Sequence, residues 1–234
     1  MSFKPLGRKN YGSIPHLPCS RMGPGDHACD KGQQRIATEK ARDKHDLIIV
    51  TEKVDGSNVG IARIGNDIHA LGRAGYLAQS SKYEQHQLFA HWVRQREDFW
   101  QEVLKPGERL VGEWLAQAHG TRYTLPQGPF VAFDLMFDGA RAPFSELRAT
   151  CMANGIPLPK IIHEGGPLPV EDAMVLHGGG AHGCDKPEGV VYRVERRGEF
   201  DFMVKWVRPD KVDGKYLPEV TGALTSEPIW NWRP

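Results

Sequence analysis

A chain of 234 residues can bury one sizeable core, and at most one domain with a small appendage, which excludes a large multi-domain machine. Charged residues at 25% and hydrophobic residues at 40% match an ordinary globular protein and exclude whole-chain disorder. The formal net charge of +1 excludes capture of a polyanion by a general positive field, so a nucleic-acid partner needs a local basic surface.

Four scattered cysteines (Cys19, Cys29, Cys151 and Cys184) in a chain too large to need disulfide staples lead us to expect no disulfide and a reducing, cytoplasmic compartment. The N-terminal Met-Ser-Phe-Lys-Pro-Leu-Gly lacks the apolar core of a signal peptide. No run approaches the ~18 apolar residues of a membrane span, so no membrane partner is expected.

Residues 1–46 are rich in Gly, Pro, Lys, Arg and His, with little hydrophobic periodicity, and read as an irregular basic lead-in. Leu47-Ile48-Ile49-Val50 then runs as a β-branched strand into Thr51-Glu52-Lys53-Val54-Asp55-Gly56. Strands follow at 59–64 and 68–72, joined by a Gly65-Asn66-Asp67 turn. Apolar residues at Leu88, Trp92, Phe99 and Val103 recur near multiples of 3.6 and predict one long helix over 81–104, capped by Ser80 or Ser81 and stopped by Pro106-Gly107. Strands are expected at 109–115 and 130–137, a helix at 143–154 closed by Gly155, and a weak helix at 170–176 before Gly178-Gly179-Gly180. Two last strands, 189–195 and 200–207, flank the hairpin connection Arg196-Arg197-Gly198-Glu199. Strands interrupted by a few helices, without βαβ alternation, predict an α+β protein with mostly antiparallel sheet.

Lys53-Val54-Asp55-Gly56-Ser57-Asn58 sits where a strand turns back, with a glycine that allows close approach of a ligand to the backbone. Five further matches follow in order: Arg73 in Leu71-Gly72-Arg73-Ala74-Gly75, Glu113 in Val111-Gly112-Glu113-Trp114, Phe133 in Phe130-Val131-Ala132-Phe133-Asp134, Glu188 in Pro187-Glu188-Gly189-Val190-Val191, and Lys205 in Phe202-Met203-Val204-Lys205-Trp206-Val207-Arg208. Together they span residues 53–208, about two thirds of the chain. In kind and order these motifs resemble the covalent nucleotidyltransferase superfamily of ATP-dependent ligases and capping enzymes, most closely its RNA ligase branch.

The resemblance implies a nucleotidyltransferase (ATP-grasp-like) domain of two antiparallel sheets with flanking helices and ATP between them. It would occupy 47–210 and be followed by a short extension, 211–234, with no β-barrel (OB) domain. It implies an ATP-dependent RNA ligase that joins 5′-phosphate and 3′-hydroxyl ends through a lysyl-AMP on Lys53 and an adenylated 5′ end. Lys53, Arg73 and Lys205 would be catalytic. Glu52, Lys53, Asn58, Arg73, Glu113, Phe133, Glu188 and Lys205 would bind ATP, and Asp55, Glu113 and Glu188 would hold Mg²⁺ or Mn²⁺ through water. Its substrate would be RNA or a nicked duplex, and an end-processing kinase or phosphatase could accompany it. A small DNA nick ligase and a nucleotide-binding module that does not turn over are the alternatives.

The residue types suit that chemistry on their own terms. An attacking lysine must shed its proton, which nearby cations favour, so Arg73, Lys205 and a metal are expected to lower the pKa of Lys53. The same cations offset charge on a phosphate under attack. Phe133 can stack on a base, and Glu113 can accept from a ribose hydroxyl. The family's last motif commonly carries two lysines one residue apart. Here Lys205 stands alone between Met203 and Val207, and Arg208 falls on the opposite face of an ideal strand.

Other polar groups have plainer readings. His16, Cys19, His27 and Cys29 fit no standard zinc spacing and read as loop residues. Arg35, Lys40, Arg42 and Lys44 could track phosphates together with a surface around Arg193, Arg196 and Arg197. Trp230 and Trp232 are expected to cover the core.

Overall fold

The computed structural model describes residues 3–179, 183, 185–221 and 227–234; Gly180 and Cys184 lie outside them. Two antiparallel sheets carry the architecture. The first orders its strands β7 (Ile161–Gly165), β1 (Asp46–Lys53), β8 (Gly189–Arg196) and β9 (Glu199–Val207). The second runs β3 (Asp67–Gly72), β2 (Ser57–Ile64), β4 (Glu108–Trp114), β5 (Phe130–Phe137) and the short β6 (Ala140–Arg141). The expected α+β class with two antiparallel sheets is what the chain adopts.

Period-2 alternation decides which side chain meets which layer. In the first sheet Ile48, Val50, Val190, Tyr192, Val194 and Val204 face a core shared with α1 (Lys31–Thr38) and α5 (Val170–His177). Their alternates Thr51, Lys53, Val191, Arg193, Met203 and Lys205 point the other way, into a cavity between the sheets. The second sheet buries Val59, Ile61, Leu110, Trp114, Phe130 and Ala132 in the larger core. That core also takes Phe89 and Val93 of α2 (Glu84–Arg94), Trp100 of α3 (Glu97–Val103) and Leu147 of α4 (Phe144–Ala153). Helices cover the outer faces, and the seam between the sheets is left for polar groups.

Three local features depart from the sequence reading. The lead-in contains α1, started by a capping box in which Asp30 accepts from the Gln33 backbone N–H while the Gln33 side chain bonds back to the Asp30 N–H. The long helix is two helices broken at Gln95 and Arg96; each half keeps an apolar face, so the periodicity survives the break. Its start carries no side-chain cap, because Tyr83, not Ser80 or Ser81, stands at the cap position, and Ser81 Oγ bonds His86 Nδ1 at 2.8 Å. Trp232 meets Trp114 edge-on at 5.8 Å, and Trp230 packs on the same core, as expected of a cover. Among the described residues no helix is long and apolar enough to cross a membrane.

Candidate active site at the seam of two sheets

Val54, Asp55 and Gly56 carry the chain from the end of the first sheet into the start of the second, so Lys53 ends one layer and Ser57, followed by Asn58, opens the other. Gly56 permits this crossing because a Cβ there would lie 2.5 Å from the Trp114 carbonyl oxygen. The close approach expected from a ligand is made by the protein's own β4. Across the sheets, Gly189, the residue after Glu188, pairs with Lys53, Glu113 pairs with Asn58, and Lys205 pairs with Val191.

Phe133 owes its place to a β-bulge. The β4/β5 register shifts between Val111 and Gly112, pairing Val111 with Asp134 and Gly112 with Ala132, so Phe133 is left over. A bulge breaks alternation, and here consecutive residues both reach the seam: Phe133 lines the cavity, and Asp134 bonds Arg193 of the opposite sheet. The ring meets Tyr11 edge-on at 5.3 Å.

Lys53 Nζ donates to Glu188 Oε2 at 2.7 Å, with the lysine side chain 21% exposed and Glu188 5%. Burial opposes its charge, but Glu188, Glu113 and Asp55 outweigh burial and raise its pKa above the ordinary lysine value. This corrects the expectation of an amine made acidic by cations: carboxylates are its nearest charges. The mirror effect falls on Glu113, whose carboxyl is pushed up to about 7 by burial, against the pull of Lys53 and with the push of Glu188 and Asp55. Its Oε1 accepts from the Gly56 N–H at 3.2 Å.

Asp55 is held in place by its surroundings. Its Oδ2 accepts from the Gly120 N–H at 2.8 Å, its Oδ1 pairs with Lys211 at 2.9 Å, and its own N–H donates to the Tyr123 hydroxyl at 2.7 Å. Burial raises its pKa, and Lys211 and Lys53 more than reverse that. Asn58 Oδ1 is buried without a hydrogen-bond partner while its residue lines the cavity, an acceptor waiting for a donor.

The two remaining cations are set back. Lys205 Nζ lies 3.5 Å from Asp26 Oδ1; burial first, then the charge of Lys53, lowers its pKa. Arg73 is exposed at the cavity wall, with Nη2 3.5 Å from the Gly12 carbonyl oxygen. Glu52 lines the cavity edge, its Oε1 accepting from the Lys160 N–H at 2.8 Å. Every predicted site residue is thus gathered around one cavity or its carboxylate end. Arg208 is not: its Nε donates to the Pro187 carbonyl at 2.8 Å, and its guanidinium pairs with Asp210.

Several residues of the site carried no signal in the sequence. Tyr11, Gly12 and Ile14 wall the cavity from the lead-in, which is bound along β9 by Leu17 N–H to Lys205 O (2.8 Å) and Arg21 N–H to Val207 O (2.9 Å). His16 and Asp26 stand beside Lys205, 3.2 Å apart. Lys211, just past β9, is 3% exposed and reaches Glu188 Oε1 at 2.5 Å as well as Asp55.

The expected polynucleotide surface needs correction. Arg193 is 3% exposed and wedged between the sheets, donating to Asp134 (3.1 Å) and Glu195 (2.7 Å). Arg196 pairs with Asp43 and Asp46, and Arg42 with Asp46 and Asp201. Arg35, Lys40, Lys44 and Arg197 are exposed.

The carboxylates fit a divalent cation held through water. Three of them crowd one end of the cavity, and Asp55 and Glu188 already share an ammonium between them. Among the described residues, no group of three or more such side chains stands close enough to bind a metal directly.

Solved structures of similar fold include an archaeal ATP-dependent RNA ligase, at 20% identity and TM-score 0.54 over 84% of this chain and 48% of that one. A lysine-to-alanine variant of Naegleria gruberi RNA ligase, solved with ATP and Mn, gives 15% identity and TM-score 0.59 over 88% and 57%. The same enzyme with pyrophosphate gives 16% and 0.58 over 88% and 57%. The chain therefore spans about half the length of the structures it matches. A search of curated proteins found no match. The family model for RNA ligases matches residues 46–207, which runs from the first residue of β1 to the last of β9, and the chain belongs to the RNA ligase family.

Proposed function

We propose that this protein is an ATP-dependent RNA ligase that stores AMP on Lys53. The observation that carries the reading is the placement of Lys53 at the carboxylate end of a cavity that also presents Phe133, Asn58, Arg73 and Lys205. Adenine stacks on Phe133, and the Glu113 carboxylate and Asn58 Oδ1 accept from ribose or base donors. Lys205 and Arg73 meet the phosphates, whose charge draws Lys205 from Asp26. Lys53 leaves Glu188, gives a proton to water and attacks the α-phosphorus; the N–P bond forms as the nitrogen's second proton also passes to water, the α–β anhydride bond breaks, and pyrophosphate departs. A polynucleotide 5′-phosphate then takes the AMP from Lys53, and a 3′-hydroxyl displaces AMP to close the phosphodiester. A divalent metal held through water by Asp55, Glu113 and Glu188 would offset phosphate charge and weaken the carboxylates' hold on the Lys53 proton.

Incubation with Mg²⁺ and ATP labelled at the α-phosphate is expected to leave one AMP on Lys53, mapped by peptide sequencing and lost in Lys53→Ala. A label on another lysine sinks this chemistry, and binding without label leaves a nucleotide-binding module. Because Lys53 is held protonated, the single-turnover labelling rate should climb with pH across the neutral range. The substrate class is tested with one pre-adenylated 5′ strand and either a ribose or a deoxyribose 3′ end at fixed salt. Faster sealing of the ribose end is expected; equal or faster sealing of all-DNA ends makes the protein a DNA ligase with the Lys53 chemistry intact.

A further inference from the structure

Lys211 lies outside every motif that marks the site, yet its ammonium is buried among the site's carboxylates, with the side chain 3% exposed. Nζ sits 2.5 Å from Glu188 Oε1, 2.9 Å from Asp55 Oδ1 and 3.8 Å from Asp213 Oδ1. The other oxygens of the first two carboxylates are also engaged: Asp55 Oδ2 by the Gly120 N–H, and Glu188 Oε2 by Lys53. All four oxygens therefore have a protein donor before any metal arrives. The segment bearing Lys211 is tied down around it, with the Lys211 N–H on Arg208 O (3.2 Å), the Tyr216 N–H on His119 O (2.7 Å) and the Tyr216 hydroxyl on Asp185 (3.0 Å). Arg21 of the lead-in pairs with Asp213 on the same segment.

A hydrated divalent ion bound by Asp55 and Glu188 needs those carboxylate oxygens as acceptors for the protons of its water shell. A buried ammonium spanning the two carboxylates uses the same lone pairs. It also repels a second cation strongly, because little solvent enters to screen it.

We propose that Lys211, seated between Asp55 and Glu188, competes with the divalent metal for that seat, so that metal entry and Lys211 withdrawal are one event. The inference rests on the ligase reading for the identity of the metal carboxylates. It explains how the Asp55 and Glu188 carboxylates are kept together, and it makes the C-terminal side of β9 part of the metal-loading step. Lys53 must leave Glu188 to attack ATP, whereas Lys211 has no such task and leaves only because the metal displaces it.

The test is an ATP-free Mn²⁺ titration followed by the electron paramagnetic resonance signal of free Mn²⁺, comparing the wild-type protein with Lys211→Met and Lys211→Arg. Lys211→Met removes the charge at nearly constant volume and should bind Mn²⁺ about tenfold tighter or more. Lys211→Arg keeps the charge and should bind no tighter than wild type. Unchanged or weaker Mn²⁺ affinity in Lys211→Met overturns the proposal, since Lys211 then does not compete for the seat. Should Lys211→Met fail to fold, the wild-type protein serves. A pulse of amine-reactive reagent, mapped by mass spectrometry, should modify Lys211 more with Mn²⁺ than without, and equal protection in both states overturns the proposal. Labelling with α-phosphate-labelled ATP on the same wild-type sample separates the two readings. A Lys53 adduct together with unmoved Mn²⁺ affinity defeats only the Lys211 inference, whereas no adduct defeats the ligase reading.

Discussion

Two regions of the seam are equally crowded with charge and behave in opposite ways. Toward β6, Asp134 is fully buried and accepts from Arg193 at 3.1 Å, Arg141 at 2.6 Å and Tyr11 at 3.0 Å, while Glu195 accepts from Arg193 and from the Phe144 N–H. Each carboxylate there has cationic or backbone donors of its own, and the network staples one sheet to the other. At the Lys53 end the protein leaves the carboxylates less well compensated: burial first, then Glu188 and Asp55, drives Glu113 up to about 7 against the pull of Lys53, and the carboxylates hold Lys53 above its ordinary range despite burial. Charge density therefore does not mark the site; charge left unbalanced by the protein does.

The sharpest way to break this contrast is Arg193→Met, which strands Asp134 and Glu195 in the interior. It should lower stability by about 3–5 kcal/mol in urea unfolding, and a loss under about 1 kcal/mol would show that the inner network is not a staple. Phe133→Ala touches the reactive end instead and should weaken ATP binding by about 1–3 kcal/mol in calorimetry. Unchanged affinity returns the ring to a packing role beside Tyr11.

Glu113→Gln tests the imbalance itself. A carboxyl whose folded pKa is raised from 4.5 to about 7 favours the fold while protonated, and that contribution is lost as pH rises through 7. The glutamine should therefore stabilise the protein above pH 7 by about 1–2 kcal/mol, with the gain shrinking to nothing below pH 4.5. A pH-independent effect would mean that Glu113 is not strained by its neighbours. The smallest change is expected from Arg42→Gln on the exposed flank. The Asp46 side chain is buried but keeps Arg196 and the backbone N–H of residue 42, and the Arg42 side chain is itself exposed, so the cost should stay below about 1 kcal/mol.

The reactive end was more legible in the sequence than the staple, for physical reasons. Lys53, Glu113, Glu188 and Lys205 lie on strands or beside them, where period 2 and fixed spacing leave a pattern. The β-bulge at Phe133 and the sheet crossing at Gly56 have no such signature, because each depends on a partner strand far along the chain. Arg193 read as surface because an arginine in a strand gives no sign that Asp134, 59 positions earlier, waits opposite it. Tyr11 and Lys211 come from segments without periodicity, carried to the cavity by the path of the chain. The sign of the Lys53 shift failed likewise, since motif order says nothing about whether carboxylates or cations lie nearer the amine. The α1 capping box, Asp30 to Gln33, has a sequence signature, but one diluted by the surrounding glycines and prolines.

The binding of the lead-in along β9 has a practical bearing on dissection and transplantation. A fragment cut to the family-matched span, 46–207, would keep Lys53, Glu113, Phe133, Glu188 and Lys205. It would also lose Tyr11 and Ile14 from the cavity wall, Asp26 from beside Lys205, and Lys211 from between the carboxylates. Such a minimal cassette would carry every signature residue of its family and still present an unwalled, overcharged groove. Fusion tags, permutations and chimaeras of this protein therefore need their junctions placed before residue 8 and after residue 232, outside the segments whose hydrogen bonds close the site.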